Sequence, residues 1–240
     1  MKIQGKLFVG AACLLAVAAY AAQDTFKLEW KPKVGDVTKY KIDVKASMDM
    51  GGAMGDIVFG MVQTTKVTKV ADGKVVIDGT TGNMTLVVNG EDMSEMMGDQ
   101  SMATVSEYTA NGELISIKGD DMGGANPVRM ENAYSLSYPN KDVKVGDKWS
   151  RTIKGNAEGA VDAEATYTVD GLETIGADRV IRIKGDFKET KGTTPMTVMS
   201  TVWLREKDGA PVKGTYNMKN VEFQPGMPPV AAIATMTLIP

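Results

Sequence analysis

Along most of its length the chain alternates apolar and polar positions with a period of two, the pattern of strands buried on one face. Tyr40, Ile42, Val44, Ala46, Met48 and Met50 share one face of a long predicted strand, and Val161, Ala163, Ala165, Tyr167 and Val169 share one face of another. Shorter alternating runs predict strands over Phe26 to Trp30, Ile57 to Val70, Met84 to Val88, Leu114 to Ile117 and Val198 to Leu204, with a last one from Val230 to Ile239. Asp72-Gly73, Asn89-Gly90, Asn111-Gly112 and Asp208-Gly209 punctuate them. Such dipeptides accept the positive φ that tight hairpins require.

The alternation lapses twice. Met93, Met96 and Met97 fall at helical spacing inside residues 91–100, which predicts a short helix there. Asn126-Pro127 reads as an N-cap and first helical position, with Met130, Ala133 and Tyr134 on one side and Tyr138-Pro139-Asn140 as the stop. The whole predicts a mainly β fold: a curved antiparallel meander, half-barrel-like, with one or two short helices.

The meander is written twice. Lys33-Val34-Gly35-Asp36 recurs as Lys144-Val145-Gly146-Asp147, and Ile42 and Ile153 stand at the same offset of 111. Val67, Val70, Val75 and Val76 align with Leu172, Ile175, Val180 and Ile181 at an offset of 105. A fixed-offset match predicts two related halves. One β domain is expected over 22–240, with halves at about 22–118 and 141–240 joined by a helical bridge at about 119–140.

Residues 1–21 read as an export signal: Lys2 and Lys6, an apolar run from Leu7 to Ala19, and a small-x-small site at Ala19-Tyr20-Ala21. That run is too short to span a bilayer and no later one is longer. Cys13 after Gly10-Ala11-Ala12 raises lipidation as an alternative, but the apolar run continues past it, so soluble export to the periplasm or beyond is expected. With residues 1–21 gone, the net charge moves from −3 to −5 and no cysteine is left. Five arginines in an acidic chain give no basic face for a phosphate backbone, so nucleic acid is not an expected partner.

Candidate chemistry is sparse. The chain has no histidine, which removes the usual base near neutral pH, any serine triad and most zinc sites. The acidic pairs Asp120-Asp121 and Glu91-Asp92 stand beside glycines in predicted turns, where acids have structural reasons to be. Glu131 falls where the closing glutamate of a calcium loop begun at Asp120 would stand, but Met122, Gly124 and Ala125 break that motif. No catalytic residue, metal site or cofactor is expected. Seventeen methionines, with Met48, Met50, Met54, Met61, Met93, Met96, Met97 and Met102 close in sequence, allow thioether copper binding. More simply, they suit an adaptable core or cavity lining. The strand aromatics Tyr40, Phe59, Trp149, Trp203 and Tyr216 fit ordinary sheet packing or the lining of a concave, ligand-binding face.

Ser200-Thr201-Val202-Trp203-Leu204 with Asp208-Gly209-Ala210-Pro211-Val212-Lys213 resembles a step in the periplasmic lipoprotein-carrier superfamily. There a Trp-bearing strand is followed by a turn and a Gly-x-Pro-apolar-basic run. Tyr138 to Trp149 is similar to a segment of uncharacterised secreted bacterial proteins associated with that group. The resemblance covers about the last hundred residues. It implies a strongly curved sheet with helices closing its concave face over an apolar cavity, in which that family carries acyl chains. The function expected is an exported, non-enzymatic protein that holds a lipid-like or other apolar ligand. The alternatives are a cell-envelope structural or interaction module with a filled core and an envelope partner, and a periplasmic copper binder.

Overall fold

The computed structural model describes residues 25–49, 54–97, 101–119, 126–222 and 228–240. The proposed signal, Asp120-Asp121 and the interior of the calcium-like loop lie outside these residues. So does Met50. The elements are β1 (Phe26–Leu28), β2 (Val37–Asp49), β3 (Met54–Ala71), β4 (Lys74–Val88), β5 (Glu91–Asp92), a 3₁₀ turn (Ser94–Met97), β6 (Met102–Thr109) and β7 (Leu114–Gly119). After them come α1 (Pro127–Tyr134), β8 (Lys141–Val143), β9 (Lys148–Ile153), β10 (Ala163–Ile175), β11 (Asp178–Glu189), β12 (Thr197–Arg205), β13 (Pro211–Val221) and β14 (Val230–Ile239).

The turns form where the dipeptides predict. Asp72 and Gly73 sit at φ 54° and 72°, Asn89 and Gly90 at 51° and 85°. Asn126 caps α1 by accepting the Arg129 backbone N–H at 3.0 Å, and Pro127 opens the helix, where a missing N–H costs nothing. Two predicted elements differ from those observed. Met84 to Val88 is not a strand of its own but the end of β4, which runs unbroken from Lys74. The helix expected in 91–100 is a two-residue strand followed by a single 3₁₀ turn.

One open antiparallel sheet runs in the order β7-β6-β4-β3-β2-β14-β13-β12-β11-β10-β9, with β5 paired to β4 and β1 paired to β8 apart from it. The registers show a repeat of five strands. Val37 pairs Lys66 and Lys148 pairs Thr168, so β2 matches β9 at an offset of 111 and β3 matches β10 at 102. By the same reading β4 matches β11 at 106, β6 matches β12 at 96 and β7 matches β13 at 97. The irregularities repeat as well. Register shifts fall between Val67 and Lys69 and between Val169 and Gly171, then between Glu107 and Tyr108 and between Trp203 and Leu204.

Each Lys-Val-Gly-Asp turn clips onto the bulged strand of its own copy. The Gly35 N–H donates to Val67 O (2.8 Å) and the Val67 N–H to Asp36 O (2.9 Å). Gly146, Val169 and Asp147 repeat this at 2.8 and 3.0 Å. Val67 therefore matches Val169, not Leu172. The offset of 105 expected from apolar residues slid the register because the β10–β11 hairpin reaches further past its bulge.

The copies part at their sixth element. After β13 the chain forms β14, which joins β13 to β2. After β7 the next described element is α1, so β7 and β9 remain the two edges of the sheet. The core cluster lies mainly in the second copy, on Val169, Ile183, Phe187, Val198 and Leu204 and their neighbours, with β1 and β8 added to it. No helix among the described residues is long and apolar enough to cross a membrane.

Candidate functional site: a cavity in the first copy

Inward positions differ between the copies. Thr38, Thr65, Thr81 and Ser106 stand in the first copy where Trp149, Tyr167, Phe187 and Val202 stand in the second. Thr38 and Thr65 share a cross-strand hydrogen bond of 2.6 Å, and at the matching place the rings of Trp149 and Tyr167 meet at 5.4 Å. The exchange is not uniform, since Met61 and Gln63 match Ala163 and Ala165. Its outcome is a half-open cavity of about 550 Å³ among β2, β3, β4, β6 and β7, bordered by α1 and reached by side chains of β12, β13 and β14.

Five tyrosines frame this space, and most of their hydroxyls are engaged in holding the frame. Tyr40 donates to Pro211 O at 3.1 Å, Tyr138 to Gly209 O at 2.7 Å, and Tyr134 to the Met218 sulfur at 2.9 Å. Tyr108 donates to Glu131 Oε1 at 2.8 Å. Trp30 and Tyr138 stack at 6.2 Å over the junction of the copies. There the Lys31 N–H donates to Asp208 O and the Tyr138 N–H to Asn111 O, each a lead-in segment docking on the other copy's turn. Burial raises the pKa of Tyr108, Tyr134, Tyr138 and Tyr216, so all four stay neutral over the physiological range.

Two glutamates at α1 have different surroundings. Glu189, at the end of β11, is 1% exposed and accepts two bonds from the Arg129 guanidinium (2.6 and 2.8 Å) and one from the Met196 N–H (2.7 Å). Arg129 also reaches Glu222 at 3.3 Å, and its bond to Glu189 raises its pKa further. Glu131 faces the cavity from α1. Burial pushes its carboxyl up, against the Tyr108 hydrogen bond and the charge of Arg151, which both favour ionisation. Arg151 itself is bound to Ser135 Oγ at 3.1 Å and to Asn132 Oδ1.

Of the residues expected on a concave face, Tyr40 and Tyr216 line the cavity. Trp203 does not. Val202 and Leu204 take the inward positions of β12, so Trp203 projects from the other face, donating to Glu173 Oε2 at 3.1 Å with Lys213 Nζ 4.8 Å from its ring centre. Trp149 packs on Tyr167 and donates to Ser137 O at 2.6 Å, in the filled half. Phe59 sits between Val44 and Leu86 on neighbouring strands and is not part of the lining. Of the methionines singled out in sequence, Met61 lines the cavity, where Met130 and Met236 join it, while Met96 is 74% exposed. Among the described residues, no group of three or more acidic side chains could hold a metal ion.

The sequence reading did not select Tyr108, Glu131 or Tyr138 for the site. Matching the two copies in correct register would have found this region, because polar residues then stand opposite large apolar ones at inward positions.

Residues 129–221 match the model of DUF6263, a family of unknown function. No curated protein matches the chain. Among solved structures, a Bacteroides fragilis protein described as exported and as having a YmcC-like fold is 13% identical, with 89% of this chain and all of that one covered and a TM-score of 0.34. A Parabacteroides distasonis protein described as a lipoprotein is 13% identical, with 90% of this chain and all of that one covered, at 0.32. DynF from the dynemicin biosynthesis pathway of Micromonospora chersina is 11% identical, with 90% and 86% covered, at 0.27. None of these descriptions names the lipoprotein-carrier superfamily.

Proposed function

We propose that the protein is an exported, non-enzymatic binder that holds a lipid-like or other apolar ligand in the cavity of its first copy. The observation that carries this reading is the hollowing of one repeat where its twin is filled. Protein interiors seldom leave voids much larger than a water molecule, because side chains lining a void lose packing contacts. A space of about 550 Å³ falls within the size range of ligand pockets. Its apolar lining (Ile42, Val44, Ile77, Ile117, Met236) suits recognition by area removed from water, worth about 25 cal/mol per Å². Met61, Met130 and Met236 can repack around chains of different length. The signal-like residues 1–21 support export, and the lack of histidine supports a binding role over a catalytic one.

The test is native mass spectrometry of protein purified from cells, with organic extraction of what it carries. Wild-type protein should release an apolar compound. Thr81→Phe, which places a ring where Phe187 stands in the second copy, should fold and lose it. Clean wild-type protein that also refuses an apolar fluorescent probe would leave the structural or interaction module as the better account.

A further inference from the structure

We propose that the cavity selects a neutral amphiphile carrying a hydroxyl head, such as a long-chain alcohol or a monoacylglycerol, over the matching fatty-acid anion. The ligand hydroxyl would bridge Tyr216 and Glu131. This rests on the reading of the cavity as a ligand site.

Tyr216 is the first ground. It is 7% exposed and lines the cavity, and its hydroxyl has no hydrogen-bond partner among the described residues. No buried side-chain oxygen there is left sealed off without a partner, so this hydroxyl opens into the cavity. The ring lies along β13 over Gly214, where an added Cβ would come within 2.8 Å of the hydroxyl. A donor that faces open space inside the fold is free to bond a ligand acceptor placed there.

Glu131 is the second. Its carboxyl faces the same space with the Tyr108 hydroxyl as its one hydrogen-bond partner among the described residues. One helical turn on, Tyr134 shares its face of α1 and meets the Tyr216 ring edge-on at 5.1 Å, which brings the carboxyl and the free hydroxyl to one region. The Glu131 charge is felt at Tyr216, where it opposes ionisation.

The charges around the cavity decide the head group. Its two lining cations are already paired, Lys31 with Glu29 and Arg205 with Asp178 and Asp208. A carboxylate head would therefore meet the Glu131 charge with no unpaired cation in the lining to offset it, since Arg151, whose charge reaches Glu131, is not part of that lining. A hydroxyl can accept from Tyr216 and donate to Glu131 at once.

The experiment displaces an apolar fluorescent probe from the purified protein with an alkanol, a fatty acid and an alkane of equal chain length, at mildly alkaline pH. The alkanol should bind about ten-fold more tightly than either competitor, the scale of one or two well-made hydrogen bonds. Tyr216→Phe should bring the alkanol down towards the alkane while melting near the wild type, and Glu131→Gln should raise the affinity for the anion while melting at or above the wild type. Equal binding of alkanol and anion by the wild type would overturn the head-group inference while leaving the cavity reading in place. A probe that never enters would overturn both. Should either variant misfold, the ligand series on the unaltered protein still decides.

Discussion

Thr81 and Phe187 occupy the same place in two copies of one five-strand unit, and so do Ser106 and Val202. The backbone treats the pairs alike. Gly79 and Gly185 match as well, and a Cβ on either would run into the hydroxyl of the residue opposite, Thr104 or Ser200. Strand pairing, bulges and tight turns are thus shared by both copies, while several of the side chains that fill space, Phe187 and Val202 among them, stand in only one. Topology is specified by turns and hydrogen-bond register, which survive the loss of a core side chain. Density is specified by volume, residue by residue. One half can therefore be hollow while the other carries the stability of the whole.

The largest effect that would break this comparison is on stability. Phe187→Ala should cost about 3–5 kcal/mol, from lost transfer energy plus an added void. Thr81→Ala, at the matching place, should change stability by less than about 1 kcal/mol, because it enlarges a space already open. Urea unfolding of both variants measures this. Equal costs would mean that the first copy is packed as tightly as the second in solution.

The same contrast explains what could be read from sequence. Turns were legible because Asp-Gly and Asn-Gly at positive φ have few other uses, and α1 because Asn126-Pro127 carries its own capping chemistry. Strand β4 was divided because its inward residues Gly79 and Thr81 face the cavity, so the apolar alternation fades where a core would have sustained it. Trp203 was expected inside because β12 carries apolar residues on both faces, and only the register shows that Val202 and Leu204 point in. The cavity was implied through the resemblance to the carriers. Its polar members were not legible, because Tyr108 and Glu131 meet only when α1 folds back onto β6.

A second, smaller effect separates the two glutamates of α1's surroundings. Glu189 in the filled half is held by an arginine, whereas Glu131 in the hollow half has a tyrosine hydroxyl and a raised pKa. Raising a carboxyl's folded pKa above its unfolded value means the folded state binds the proton more tightly. Stability from this group is then full at low pH and is lost as pH climbs from about 4, where a free glutamate titrates, through the folded value. Glu131→Gln should therefore gain on the wild type across that window, seen by chemical denaturation at a series of pH values. A difference that stays flat would put the Glu131 carboxyl in water-like surroundings and weaken the case for a ligand site at that end of α1.

The smallest expected effect concerns what the copies share. Gly35 and Gly146 sit at φ 92° and 93°, and a Cβ built on either meets nothing within 4 Å. Substituting alanine at each should then cost only the backbone penalty of a left-handed residue, about 1–2 kcal/mol. The cost should be the same at both sites, although one turn leads into the hollow copy and the other into the filled one. Each glycine donates to a valine carbonyl at 2.8 Å, and each following aspartate takes the backbone N–H of its lysine, at 2.7 Å from Lys33 and 3.0 Å from Lys144. With the local bonding matched, any difference in cost must come from how rigidly each copy holds its bulged strand. Thermal unfolding of the two alanine variants, run side by side, should give matching shifts. A markedly smaller shift for Gly35→Ala would mean that the first copy relaxes around the strain, so that its hollowness extends from the side chains to the backbone.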